Sequence, residues 1–223
     1  MSKTLTIIPA RGGSKRIPSK NLRKLNGLSL VEHSIVYAQN NLEHIQHICV
    51  TTDDEDISII AKKHEVEVVK RPKELSGDLA TTVSALKHVL QTVDAAYDNV
   101  ILLQPTNPLR PKNLIKEAFN RFINSECESL LTVSSNDRKL GKIIDDKYVP
   151  YSYKMGQRSQ DIEPLYFENG LLYITKTSLI LEDKILSDKN IPFIVSHPYA
   201  LVDIDEEEDF EFAEFILKNY PNE

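Results

Sequence analysis

Along the chain, short apolar runs alternate with stretches whose apolar residues recur every three or four positions. The run "TLTIIPA" (4–10) reads as a buried strand. Leu28, Val31, Ile35, Ala38 and Leu42 then mark one helix face. "HICVTTDD" (47–54) is a second strand ending in carboxylates, and "EDISIIAKKH" (55–64) is a short helix. "VEVVKRP" (66–72) is a third strand, stopped by Pro72. Leu79, Val83, Leu86, Leu90 and Val93 mark another helix. "NVILLQP" (99–105) is a strand closed by Pro105, "KNLIKEAFNRFI" (112–123) a helix and "SLLTVSS" (129–135) a further strand. The order β-α-β-α-β-α-β-α-β predicts an α/β fold with a mostly parallel central sheet and helices on both faces. Right-handed crossovers place the strand-end loops on one edge, where open α/β sheets bind ligands.

Past residue 136 the rhythm breaks. "LGKIIDDKYVPYSYKMGQRSQDIEPLYFENGLLYITK" (140–176) is polar, tyrosine-rich and irregular, with room for short strands. It predicts an arm or small subdomain, inserted at about 137–197 into a single domain spanning 1–223. "HPYALVDID" (197–205) resumes as a strand. Phe210, Ala213, Leu217 and Tyr220 give a closing helix its buried face.

Composition narrows the class. A hydrophobic share of 41% over 223 residues is enough for one sizeable core. With 27 basic and 33 acidic residues the formal charge is −6. An acidic total argues against broad nucleic-acid binding and makes any cationic cluster a local site. Cys49 and Cys127 belong to no CxxC pair, so reduced thiols in a cytoplasmic protein are expected. The N-terminus lacks the apolar run of a signal peptide, and no stretch approaches the roughly 20 apolar residues of a membrane span.

Against this background, "IIPARGGSKRIPSKN" (7–21) sets Arg11, Lys15, Arg16 and Lys20 around Gly12 and Gly13, directly after the first strand. Glycines let the backbone approach a ligand, and successive N–H groups can form an anion-binding nest. Arg11 offers a fork suited to phosphate and Lys20 a compact charge. A solvated basic loop is the plainer reading, but the position past a strand favours phosphate. The loop is neither GxGxxG nor GxxxxGK[ST], which weakens dinucleotide and P-loop readings. In "VDID", Asp203 and Asp205 alternate, so both side chains point to one face. Two hard oxygen ligands suit Mg2+, although first-turn decoration of the last helix would also explain them. Gln104 ends a strand in "LLQPTNPLR", where its carboxamide could read a hydroxylated sugar or simply begin a turn. The scattered histidines lack further ligands for zinc, and no G-x-S-x-G elbow occurs.

Taken together, "PARGGSKRIPSKN", "TTDD", "KRPKELSGDLATT", "LLQPTNPLR", "RSQD…FENGLLYI" and "VDIDEEEDF" resemble, in order and over nearly the whole chain, the sugar-activating cytidylyltransferases that make CMP-sialic acid and its relatives. The resemblance implies a Rossmann-like nucleotidyltransferase, a homodimer with an exchanged arm, CTP and a nonulosonic acid as substrates, and Mg2+ as the ion. It implies a nucleotide site of Ala10, Arg11, Gly12, Gly13, Ser14, Lys15, Lys20, Asn21, Arg71, Ala80 and Thr82, with Asn21 at the cytosine. It also implies sugar contacts from Gln104, Lys142, Arg158, Gln160 and Asn169, with Lys142 on the sugar carboxylate. Arg11, Lys20, Asp203 and Asp205 would be catalytic, the two aspartates as metal carboxylates. Ser159 stands where many sialic acid enzymes have arginine, and Arg16 where many have glycine. Forms such as "RSQD" occur among relatives acting on pseudaminic or legionaminic acid. A Kdo-activating enzyme and a non-catalytic nucleotide-binding domain are the rival readings.

Overall fold

The computed structural model describes residues 2–220. In chain order the elements are β1 (Thr4–Pro9), β2 (Lys24–Leu25), β3 (Leu28–Ser29), α1 (Leu30–Gln39), β4 (His47–Thr52) and α2 (Glu55–Lys63). Then come β5 (Glu67–Lys70), α3 (Thr82–Thr92), β6 (Asn99–Leu102), α4 (Leu114–Ile123) and β7 (Ser129–Asn136). The chain continues with β8 (Gly141–Ile144), β9 (Lys147–Pro150), β10 (Leu165–Lys176), α5 (Thr177–Leu181), β11 (Asn190–Ile194) and α6 (Glu207–Asn219).

Among the described residues, seven strands form the main sheet in the order β11-β7-β10-β6-β1-β4-β5. All neighbours pair in parallel except β10, which is antiparallel to both β6 and β7. From β1 the chain steps outward to β4 and β5, then returns through α3 to β6 on the other side of β1. That reversal opens a crevice between the ends of β1 and β6, where ligands bind in open α/β sheets.

The central strands β1, β4 and β6 are apolar on both faces because both are covered. Leu5 and Ile7 of β1 and Val100 and Leu102 of β6 pack with Leu86 and Val89 of α3 and Ile180 of α5. Ile8, Val50, Ile101 and Ile174 join Val31 and Ile35 of α1, Ile57 of α2 and Ile115 of α4 in the other layer. A third cluster gathers Ile17, Leu25 and Leu30 with Val202, Ile204 and α6 residues Phe210, Ala213 and Ile216.

Capping side chains, more than apolar spacing, set the helix starts. Ser29 and Glu32 form a capping box at α1, and Thr81 accepts from the Ser84 N–H at α3. Leu28 therefore lies on β3, while Leu42 and Leu79 fall outside the helices they were expected to join and are exposed. The expected strand in "HPYALVDID" is absent. Pro198–Leu201 makes a 3₁₀ turn, and Val202–Ile204 runs extended with the Ile204 N–H bonded to the Thr106 carbonyl. Of the irregular stretch, β8 and β9 form a separate hairpin, whereas β10 and β11 lie in the main sheet.

Ile101 is fully buried on a strand flanked on both sides. Ile101→Ala should cost about 2–5 kcal/mol. A denaturant midpoint that falls at unchanged slope would show it; a midpoint like wild type would contradict this account of the core.

Candidate active site

At the crevice lies a cleft of about 230 Å³, lined by Pro9, Arg11, Ser14, Lys20, Asn21, Arg71, Ala80, Thr81, Thr82, Gln104, Pro105 and Thr106. The structure thus brings together Arg11, Ser14, Lys20, Asn21, Arg71, Ala80, Thr82 and Gln104 from the residues expected on sequence. Thr81, which also caps α3, and Thr106 were not expected. Their only signal was adjacency to expected positions.

The basic loop is held from several sides. Ala10 is buried in the core, and its N–H donates to the Thr51 carbonyl at 3.0 Å, so it shapes the loop without lining the cleft. Gly12 has a different role from the expected open approach to a ligand. Its N–H donates to Asp53 Oδ1 at 3.0 Å, and a Cβ there would lie 2.5 Å from Asp54 Oδ2. Asp54 caps α2, so the glycine makes room for that cap. Gly13 sits in the open beside it. Asn21 is buried and donates from Nδ2 to the Arg11 carbonyl at 2.8 Å. One of its two amide N–H groups therefore fixes the loop, while the residue also lines the cleft.

Each cation of the loop meets an acceptor. Arg11 Nη1 lies 3.2 Å from the Gly77 carbonyl and 3.5 Å from Asp78 Oδ1. Lys15 Nζ lies 2.6 Å from Asp78 Oδ2, and the Lys15 hydrogen bond leads the causes that hold the Asp78 carboxyl below its usual range. Lys20 Nζ donates to the Ile204 carbonyl at 2.8 Å and to Asp205 Oδ1 at 2.9 Å. Arg16, unassigned on sequence, lies 3.5 Å from Asp205 and 3.3 Å from Glu206. Arg71 is buried and donates from Nη2 to the Thr51 carbonyl at 2.7 Å. Burial lowers its pKa, with Asp53 opposing and Arg11 reinforcing the shift.

Asp203 and Asp205 flank the buried Ile204 and share an outward face, as their alternation suggested. Atoms packed around the Asp203 carboxyl raise its pKa, and the Asp205 charge adds to this; Thr106 and Lys20 oppose it. A carboxylate held at a desolvation cost beside another negative group gains from a cation. Mg2+ typically takes one or two carboxylates plus water and phosphate oxygens. No group of three or more metal-binding side chains converges among the described residues, so an ion here would have only these two protein carboxylates and would need other oxygens to complete its shell.

The expected sugar contacts divide. Gln104 lines the cleft. Asn169 does not: it is buried, donates to Ser134 Oγ at 3.0 Å and accepts from the Leu171 N–H at 3.2 Å, stabilising an irregularity in β10. Lys142, Arg158 and Gln160 lie on the exposed excursion between β7 and β10 and do not line the cleft. Lys142 Nζ rests 4.7 Å over the Tyr151 ring, and Arg158 pairs with Asp161 at 2.7 Å.

A cytidylyltransferase family matches residues 5–219. The chain is 32% identical to a pseudaminic acid cytidylyltransferase of Campylobacter jejuni, covering 97% of both chains. It is also 32% identical to a CMP-N,N'-diacetyllegionaminic acid synthase of Legionella pneumophila, again covering 97% of both. With an N-acylneuraminate cytidylyltransferase of Streptococcus agalactiae the identity is 31% over 93% of this chain and 52% of that one. A solved CMP-2-keto-3-deoxy-manno-octonic acid synthetase complexed with CTP has the same fold, at TM-score 0.70 and 14% identity over 97% of this chain and 99% of the other. The central sheet and its crevice are those of a Rossmann-like nucleotidyltransferase, and the chain belongs to the cytidylyltransferase family.

Proposed function

We propose that the cleft transfers the cytidylyl group of CTP to a nonulosonic acid, giving the CMP-sugar and pyrophosphate. The observation that carries this reading is the convergence of Arg11, Lys20, Arg71 and Gln104 on one cleft, with Asp205 joined to it through Lys20 and Asp203 through Thr106. The anomeric hydroxyl of the sugar acid attacks the α-phosphorus. An O–P bond forms, the hydroxyl proton passes to water, the bond from the α-phosphorus to the bridging oxygen breaks, and its electron pair leaves on pyrophosphate. Such a reaction needs alignment and charge stabilisation more than a covalent nucleophile. Arg11 and Lys20 hold the phosphates by exchanging their carboxylate partners for phosphate oxygens, and Lys15 supports them. Gln104 orients the sugar. Bound Mg2+ would draw negative charge from the phosphates, and Asp203 and Asp205 would hold it.

The excursion carries Ile143, Tyr151 and Met155 at 72%, 68% and 71% exposure. A second copy of the chain would cover it, and would let Lys142, Arg158 and Gln160 serve a site in the assembled dimer. Buried, free Cys49 and Cys127 suit a reducing cytoplasm.

Pyrophosphate release from CTP, measured over pseudaminic, legionaminic, neuraminic and 2-keto-3-deoxy-octonic acids, tests the reaction and ranks the sugars. Release is expected with at least one nine-carbon acid; none with any acid would favour a nucleotide-binding module. Asp203→Asn should lower turnover on the order of 10²-fold or more while CTP still binds. Normal turnover would remove Asp203 from the metal role. Light scattering at assay concentration should give twice the chain mass, and a single-chain mass would refute the dimer.

A further inference from the structure

Behind the cleft wall, the turn that follows β6 makes buried polar contacts with two distant segments. Asn107 is 2% exposed. Its Nδ2 donates to the Asn169 carbonyl at 3.1 Å and to the Val202 carbonyl at 3.3 Å. Its backbone N–H donates to the Gln104 carbonyl at 3.1 Å, and Arg110 Nη2 donates to that same oxygen at 2.8 Å. One residue earlier, the Thr106 carbonyl accepts from the Ile204 N–H at 2.7 Å. Asp203 is therefore held on both sides, at Val202 and Ile204, by two consecutive residues of the turn that begins with Gln104.

We infer that Asn107 is a positioning residue that sets the spacing between the sugar-facing Gln104 and the carboxylate of Asp203. The inference rests on the reading above, in which those two groups take the acceptor and the cation. An amide suits the task because one nitrogen carries two N–H donors for two carbonyls from different segments. Serine has one donor, and aspartate would set an oxygen against two carbonyl oxygens. The fit is close on the other side as well. Gly170 has φ +72°, and a Cβ there would lie 2.6 Å from Asn107 Oδ1. Val202–Ile204 belongs to no strand, so these two bonds replace the ladder that would otherwise locate Asp203. A misplacement near 1 Å can cost on the order of 10²-fold in rate, so a shift too small to unfold the protein would still be felt.

Asn107→Ser and Asn107→Asp are compared with wild type and Asp203→Asn, with folding followed by circular dichroism at a temperature well below each midpoint. Calorimetry measures CTP binding with chelator and with Mg2+, and kinetics separate kcat from KM for the sugar. In the folded Asn107 variants, CTP binding in chelator should stay within about twofold, and the gain in CTP affinity from Mg2+ should shrink. At the same time kcat should fall on the order of 10-fold to 10²-fold, the serine variant being the milder. Wild-type kcat and Mg2+ response in the folded variants, or losses matching the unfolded fraction alone, would overturn the positioning role. If Asp203→Asn itself kept the wild-type Mg2+ response and turnover, the metal reading would fail and the inference with it. If Asp203→Asn lost both while the Asn107 variants kept both, only the positioning role would fail.

Discussion

An apolar seam beneath α6 holds the two sides of the site in place. Ile17 is fully buried although it follows Lys15 and Arg16, and it shares its cluster with Val202 and Ile204, from the far end of the chain. Burying one such side chain is worth about 1.5–3 kcal/mol, whereas an exposed ion pair contributes about 0–1 kcal/mol. The basic loop and the acidic segment are therefore located by Ile17, Val202 and Ile204, and the pairing of Lys20 and Arg16 with Asp205 is a consequence of that location. The order of magnitudes matters for function. Cations placed by a buried anchor can exchange one anionic partner for another without the loop leaving its position.

The antiparallel strand β10 has a similar effect on the opposite wall. It occupies the place beside β6 where continued right-handed winding would put a parallel strand and its crossover helix. Because β10 runs against β6 and β7, the excursion leaves and re-enters the sheet on the edge that carries the cleft. The irregularity between Glu168 and Tyr173 then brings Asn169 and Gly170 against Asn107. Arg110 adds a second tie, donating to the Leu171 carbonyl at 2.7 Å and to Gln104. Burial lowers its pKa to about 10, which leaves it charged at neutral pH. Fixing the ends of β6 and β10 with buried donors makes this wall rigid where the cleft needs a defined shape.

Much of this was legible in the sequence because it is contiguous there. The parallel strands appear as apolar runs covered on both faces, and the cations and glycines of residues 11–20 announce a site just past the first strand. What sequence reasoning missed was decided by partners far along the chain. The alternation of Val202 and Ile204 looks like a strand, but the Val202 carbonyl and the Ile204 N–H bond to the Gln104–Asn107 turn and not to a ladder. Asn169-Gly170 looks like a turn and is instead an irregularity within a twelve-residue strand. Gly12 looks like a ligand cradle, yet its missing side chain accommodates Asp54. Asn107 lies in the quoted "LLQPTNPLR", but nothing local marks its role, which comes from two carbonyls 62 and 95 residues away.

The distribution of carboxylates also accounts for how an acidic chain can receive a polyanion. Asp78 pairs with Arg11 and Lys15 on one side of the basic loop, while Asp205 and Glu206 pair with Lys20 and Arg16 on the other. An anion that displaces one of these partners leaves the other in place. A triphosphate bound as proposed would replace these carboxylates with phosphate oxygens and keep charge-assisted hydrogen bonds on the same cations. On this view the acidic partners lower the affinity of the loop for stray anions, which must first displace them from Arg11, Lys15, Arg16 and Lys20.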